Sequence, residues 1–146
     1  MSWSTPTVAD LVASLSEGER AKLAAAATAS GQEVDAQLIA RTCAMVRGYV
    51  RRSGVALGAA GTIPPELVAP AMDIAAVDAL LRADLRPSEQ RMQRRRDAYE
   101  LLRDMAAGRG MQVSGPDEDP LAAAIPAPSI ESIDRSRGRD YSDGIL

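Results

Sequence analysis

The sequence predicts an all-α protein, a small antiparallel helical bundle with an extended C-terminal tail. Among its 146 residues Phe is absent and aromatic residues make up only 3%, whereas Ala recurs throughout. Ala favours helices, while strands favour β-branched and aromatic residues. Apolar residues also recur at helical spacing up to about residue 107, between capping residues. Beyond this point Pro and Gly recur, and neither a helical nor a strand period is visible.

Residues 1–33 are predicted to form two short N-terminal helices. A Thr-Pro pair at residues 5–6 is a favourable helix start, and the apolar residues that follow have the spacing of one amphipathic helix. Ser16 and Glu19 then have the spacing of a capping box, with Ser16 as the N-cap. The second helix is expected to end at Gly31, because glycine is a common helix terminator.

Residues 34–108 are predicted to be a helical core domain of three longer helices, near residues 34–53, 65–85 and 88–107. The middle helix is apolar on nearly all sides, so it should be packed on several faces. Ser88 is the expected N-cap of the last one. Short loops favour antiparallel neighbours. The predicted core consists of Leu38, Met45, Tyr49, Leu67, Ile74, Leu81, Tyr99 and Leu102.

Residues 109–146 are predicted to be an extended tail that docks on a partner. Recurring Pro and Gly, together with acidic charge, make residues 109–128 a spacer. Apolar residues return in residues 130–146, which favours a segment that orders on a partner. The alternative is that this segment is simply disordered and binds no partner. The expected partner-binding residues are the anchors Ile130, Ile133, Tyr141, Ile145 and Leu146, and the carboxylate-pairing Arg135, Arg137 and Arg139.

Composition excludes several function classes. The formal net charge is −3 and the pI is near 5.0, which argues against a free nucleic-acid binder. The chain has no His, the commonest general base and zinc ligand. We therefore expect no enzymatic activity, no cofactor and no metal. Cys43 is the only cysteine, so a reducing compartment is expected. We expect no membrane association either, because no apolar run is long enough to span a bilayer.

The strongest basic cluster is predicted on the last helix, and it consists of Arg91, Arg94, Arg95 and Arg96. It could contact phosphate or DNA, or it could be a solvated helix face or a salt-bridged surface between subunits. Nearby acidic residues almost balance its charge, so we assign it to subunit or portal contacts. A second, smaller basic cluster consists of Arg47, Arg51 and Arg52.

Three further features carry no predicted chemistry. Asp73, Asp78 and Asp84 do not converge on one helix face, so a metal site is not expected. The Gly-rich loop at residues 54–61 follows a helix and lacks the Lys-Ser/Thr end of a phosphate-binding loop. Cys43 lies among apolar residues, as a small buried hydrophobe does.

From residue 34 to residue 110 the chain resembles the head-to-tail connector proteins (adaptor or head-completion proteins) of tailed bacteriophages, especially their Mu-like branch. The order and spacing of several short stretches carry the resemblance. They are residues 48–52 (Gly-Tyr-Val-Arg-Arg), 63–67 (Ile-Pro-Pro-Glu-Leu), 71–75 (Ala-Met-Asp-Ile-Ala), 95–102 (Arg-Arg-Asp-Ala-Tyr-Glu-Leu-Leu) and 106–110 (Ala-Ala-Gly-Arg-Gly). Outside this range, residues 139–144 (Arg-Asp-Tyr-Ser-Asp-Gly) resemble the ending often seen in these proteins.

This resemblance implies a structural virion protein, assembled in the host bacterial cytoplasm. Such proteins form a closed homo-oligomeric ring of about twelve copies. The ring would lie beneath the portal protein, extend the DNA channel and bind the next tail-side connector or stopper protein. Genomic DNA would pass through without sequence-specific binding. The alternative from another class is a small helical DNA-binding or regulatory accessory protein.

Overall fold

The computed structural model describes residues 2–30 and 36–116, and these residues contain five α-helices. The prediction of an all-α fold is confirmed, because the described residues form no sheet and only an isolated antiparallel bridge between Ser4 and Ile63. A 3-10 turn, Pro65–Leu67, precedes the fourth helix. The helices are α1 (Val8–Ser14), α2 (Glu17–Ser30), α3 (Ala36–Arg52), α4 (Val68–Arg82) and α5 (Glu89–Ala106).

Side-chain caps explain where three of these helices begin. The Thr7 hydroxyl accepts a hydrogen bond from the Asp10 amide at the start of α1. The predicted capping box of α2 is confirmed, because Glu19 accepts from the Ser16 amide at 2.8 Å and the Ser16 hydroxyl accepts from the Glu19 amide at 3.2 Å. The Ser88 hydroxyl accepts from the Arg91 amide at 3.2 Å and so caps α5, as predicted. Each cap satisfies backbone donors that the first helical turn leaves without a partner.

Helix α4 is the centre of the bundle and packs against α1, α3 and α5. Eight of its residues are buried, including Ala71, Ile74 and Leu80. The prediction that Leu81 belongs to the core is wrong, because its side chain is 51% exposed whereas Leu80 is 2% exposed. A helix that is apolar on nearly all sides gives no period by which the sequence can distinguish these two neighbours.

The other predicted core residues lie in or against the core. Leu38, Leu67, Ile74 and Leu102 are buried. Met45, Tyr49 and Tyr99 are partly buried and pack against the core from its edge, where the Tyr99 hydroxyl lies 3.5 Å from the Met45 sulfur.

The segment before α1 meets the loop after α3 and the segment after α5 at one end of the bundle. Ser4 and Ile63 exchange two backbone hydrogen bonds of 3.0 and 2.9 Å. The Trp3 indole N–H donates to the Ser114 carbonyl at 3.1 Å, and Val113 is buried. Part of the segment predicted as a spacer from residue 109 therefore packs on the domain. The predicted docking segment, residues 130–146, lies outside the described residues.

Candidate functional site

The arginine cluster of α5 is divided between the interior and the surface, and Arg91 is its interior member. Arg91 is 6% exposed. Its guanidinium donates to both carboxylate oxygens of Glu19, at 2.9 and 2.8 Å, and to the Ser14 carbonyl at 2.5 Å. It also contacts the Asp73 carboxylate at 3.4 Å. Arg91 therefore joins α5 to the start of α2, the end of α1 and the middle of α4, and its guanidinium is engaged within the chain rather than on the surface.

The fork geometry of this contact has an electrostatic consequence. A bidentate guanidinium stabilises the carboxylate form of its partner more than a single donor does. The hydrogen bonds from Arg91, which outweigh the cost of burial, lower the pKa of Glu19 from its usual 4.5 to about 2. The same hydrogen bonds raise the pKa of Arg91. Both groups are thus charged at neutral pH, and the contact is a structural ion pair.

Arg95 is also engaged within the chain. Its guanidinium forms an ion pair of 2.8 Å with Asp78 on α4 and lies over the Tyr99 ring, 5.7 Å from the ring centroid. Its side chain keeps 26% of its exposure. Arg95 therefore stabilises the contact between α4 and α5 and still presents one edge to the surface.

Arg94 and Arg96 are the cluster members that the structure exposes to solvent. Arg94 borders a small cleft with Ser16, Glu19 and Gln90. Acidic residues share this side of the molecule, because Glu89, Asp97 and Glu100 of α5 are exposed as well. The surface of α5 is therefore mixed in charge, which suits pairing with another mixed protein surface better than gripping a polyanion.

The second basic cluster is likewise divided. The Arg47 guanidinium donates to the backbone carbonyls of Gly58, Ala59 and Thr62, at 3.0, 2.8 and 2.6 Å. It also lies 6.0 Å from the centroid of the Trp3 ring. Arg47 therefore holds the Gly-rich loop, and this residue's structural role explains why that loop is ordered without secondary structure. Arg51 and Arg52 at the end of α3 are exposed.

The three aspartates that the sequence offers as ligands do not meet. Asp73 and Asp78 each pair with an arginine, and Asp84 lies in a turn with a positive φ of 56°. Within residues 2–30 and 36–116, no three His, Cys, Asp or Glu residues come close enough to hold a metal ion. No helix in the described part of the chain is long and apolar enough to cross a bilayer.

An apolar groove lies between the segment that precedes α1 and the side of α3. Its volume is about 660 Å³. Small and aliphatic residues form most of the walls, including Val8, Ile39, Ala40 and Ala44. Cys43 borders the groove too, and burial raises the pKa of its thiol, so it is a small apolar wall residue in agreement with the sequence.

Sequence reasoning did not find the partners of the two interior arginines. Glu19 is close to Arg91 in the fold but 72 residues away in the sequence. The acceptors of Arg47 are backbone carbonyls, which the residue types in a sequence do not indicate. One signal was present for Arg91. Arg91 lies seven residues before Ala98 and eleven before Leu102, which are both buried. This spacing places all three residues on one helix face.

Comparison with known families identifies the chain. A model of the family described as "Bacteriophage Mu, Gp36" matches residues 6–126, a range that includes all five helices. The chain therefore belongs to the bacteriophage Mu Gp36 family, in agreement with the resemblance to Mu-like phage proteins. No curated protein and no solved structure gives a significant match.

Proposed function

We propose that this member of the bacteriophage Mu Gp36 family is a structural virion protein, an adaptor without enzymatic activity that forms a ring between the portal and the tail. Family membership carries the proposal, because it indicates a phage structural or morphogenesis protein. The adaptor role goes further and rests on the core and the exposed residues of the described domain. In this role each subunit contacts two neighbours, the portal protein and the next tail-side component.

The size and core of the domain favour assembly. Several buried residues of the central helix are alanines, which bury little area each. A domain of this size with such a core has little stability to spare, and association with neighbours adds buried area. Leu81, exposed on α4, is one apolar residue that a neighbouring subunit would cover.

The charge distribution favours protein contacts over DNA contacts. Arg94 and Arg96 are the exposed members of the α5 cluster, and we place them at subunit or portal contacts, where an arginine fork pairs with carboxylates. Carboxylates, more than arginines, would face the central channel. A channel through which DNA slides should not be lined mainly by arginines, because a basic lining would hold the phosphates.

The tail completes the proposed role. Residues 130–146 lie outside the described residues, and we retain them as the segment that docks on the portal or on the next connector. Their apolar anchors and arginines would bind a partner surface that has apolar pockets and carboxylates.

The experiment is coexpression of the full chain with the portal protein of the same phage. We expect the two to copurify and to show rings of this chain on the portal by electron microscopy. Arg94→Glu/Arg96→Glu should abolish copurification, whereas the matched control Arg51→Glu/Arg52→Glu should keep it. A wild-type chain that remains a free monomer beside purified portals would overturn the adaptor role.

The same preparation distinguishes the alternative, a DNA-binding accessory protein. Such a protein would bind duplex DNA, and its affinity would fall steeply with salt as counterions are released. The adaptor should give no retardation of duplex DNA at any salt concentration.

A further inference from the structure

We propose that residues 121–126 of this chain occupy the apolar groove between the segment before α1 and helix α3, and so complete the domain in the same molecule. This inference concerns a single chain, and it stands whether or not the chain forms a ring. Four observations carry it: the walls of the groove, the composition of the segment, the distance to be covered and the extent of the family match.

The walls of the groove suit an extended apolar chain. Ala40, Ala44 and Gly61 border it together with Pro6 and Ile39, and such small side chains allow a peptide backbone to approach closely. A groove of about 660 Å³ that stayed uncovered would leave this apolar surface in water, which is unfavourable.

The composition of residues 121–126 matches these walls. They read Leu-Ala-Ala-Ala-Ile-Pro and carry no charge. Proline at 120 and at 126 fixes its own φ and favours an extended conformation in the residue before it. The other segments outside the described residues fit less well, because residues 31–35 contain a single aliphatic residue, Val34, flanked by Glu33 and Asp35, and residues 130–146 carry charges of both signs throughout.

Dimensions agree as well. The groove runs along α3 from Ala36 to Arg47, which at 1.5 Å per residue is about 16 Å. Six extended residues span about 17 Å between their first and last Cα atoms. The segment thus has the length of the groove.

The last described residue lies close enough for the segment to reach the groove. Pro116 packs beside Gly58, where a Cβ atom added to the glycine would lie 3.0 Å from the Pro116 side chain. Gly61, which borders the groove, is three residues further along the same loop. Five extended steps from Pro116 to Leu121 cover about 17 Å, so the connection needs no rearrangement of the domain.

The extent of the family match is the independent observation. The match continues ten residues beyond Pro116 and ends at residue 126, which is the last residue of the proposed segment. The family match therefore includes the proposed segment together with the helices, and it stops before residues 130–146.

The first experiment is disulfide trapping in the full chain. In a Cys43→Ala background, we combine Ala44→Cys in the groove with Ala123→Cys in the middle of the segment, and we use Ala44→Cys with Ser136→Cys as the control. Mild oxidation should give an intramolecular disulfide in the first pair, seen as a faster-migrating monomer on a non-reducing gel, and little in the control. A disulfide-linked dimer would place the segment in a second copy and overturn the proposal, as would equal or absent trapping in the two pairs.

The second experiment measures folding of the full chain. Leu121→Asp/Ile125→Asp should lower the equilibrium constant for folding by about tenfold or more, because two aliphatic side chains lose their burial. Ile130→Asp/Ile133→Asp introduces the same charges outside the segment and should leave urea denaturation unchanged. Equal stability of the two double variants would contradict the proposal.

Discussion

The buried guanidinium of Arg91 offers the sharpest test of how this domain is held together. Arg91→Met keeps most of the aliphatic stem and removes the charge and the five N–H donors. The change removes the guanidinium donors of the Ser14 carbonyl and of the Glu19 carboxylate, which keeps only its hydrogen bond from the Ser16 amide. Asp73 loses its ion pair as well. We expect Arg91→Met to destabilise the domain strongly, because removing one partner strands the others in a largely buried site.

The magnitude follows from the pKa of Glu19 and from its burial. Lowering that pKa from 4.5 to about 2 corresponds to about 3 kcal/mol of favourable interaction with the carboxylate. Breaking a fully buried ion pair costs about 3–5 kcal/mol. The Glu19 side chain keeps 17% exposure and Asp73 keeps 26%, so both can partly rehydrate in the variant. We therefore expect a loss near the lower end, about 3 kcal/mol, which is a large part of the stability of a small domain.

Urea denaturation followed by far-UV circular dichroism measures this loss. Arg94→Met is the matched control, because Arg94 lies on the same helix and is exposed, and it should change the free energy of unfolding by less than about 0.5 kcal/mol. A double-mutant cycle with Glu19→Gln should give a coupling energy above about 1 kcal/mol. The reasoning is refuted if Arg91→Met costs no more than Arg94→Met.

The same contact also predicts how the stability of the wild-type domain depends on pH. The pKa of Glu19 is lower in the folded chain than in the unfolded chain, so the contact contributes its full stability above about pH 4.5. This stability is lost as the pH falls from about 4.5 to about 2, because the unfolded state then binds a proton that the folded state does not. Glu19→Gln should flatten the acid limb of the stability profile. An unchanged acid limb would show that other carboxylates dominate it.

Two further pairs of variants test the packing by urea denaturation. Leu80→Ala should lower the free energy of unfolding by about 2–5 kcal/mol, because it leaves a cavity in the core. Leu81 is 51% exposed, so Leu81→Ala should change the free energy of unfolding of the monomer by less than about 0.5 kcal/mol. Equal losses in the two variants would mean that the orientation of α4 is wrong. Gly58→Ala should destabilise by about 1–3 kcal/mol, since its Cβ would lie 3.0 Å from both Pro116 and Trp3. Gly48→Ala, in α3 with no atom within 4 Å of the added Cβ, should instead stabilise by about 0.5–1 kcal/mol, and the opposite order of the two glycine variants would contradict this packing.

Local signals in the sequence were sufficient for the helices. The capping residues Ser16 and Ser88 and the breaks beside them act within a few residues, so the sequence alone places the helix starts near their positions in the structure. The fold class follows in the same way, because composition and period act along the whole chain. The core of α4 shows where this reasoning ends. Leu80 and Leu81 are chemically identical neighbours, and only the positions of α3 and α5 decide which of them is buried.

Contacts distant in sequence account for the other differences. Val113 lies in a stretch rich in Pro and Gly and has no period of its own, so nothing local indicates that it is buried. It packs on the domain because Trp3, at the opposite end of the described chain, donates its indole N–H to the next carbonyl. Such a contact depends on the bundle having already formed.

Arg91 illustrates how far a sequence can distinguish an interior arginine from a surface one. Four arginines within six residues indicate a basic surface when their charges are counted alone. Their positions on the helix refine this, because Arg91 is centred on the face of Ala98 and Leu102, Arg94 lies at the edge of that face, and Arg96 lies on the opposite side of the helix. An arginine on a buried face requires an acidic partner, since an unpaired charge in the interior is too costly. Glu19 was visible in the sequence as a capping residue, and in the structure the same carboxylate caps α2 and pairs with Arg91. Because the cap already restrains the carboxylate, forming the ion pair costs less conformational entropy than it would for a free side chain.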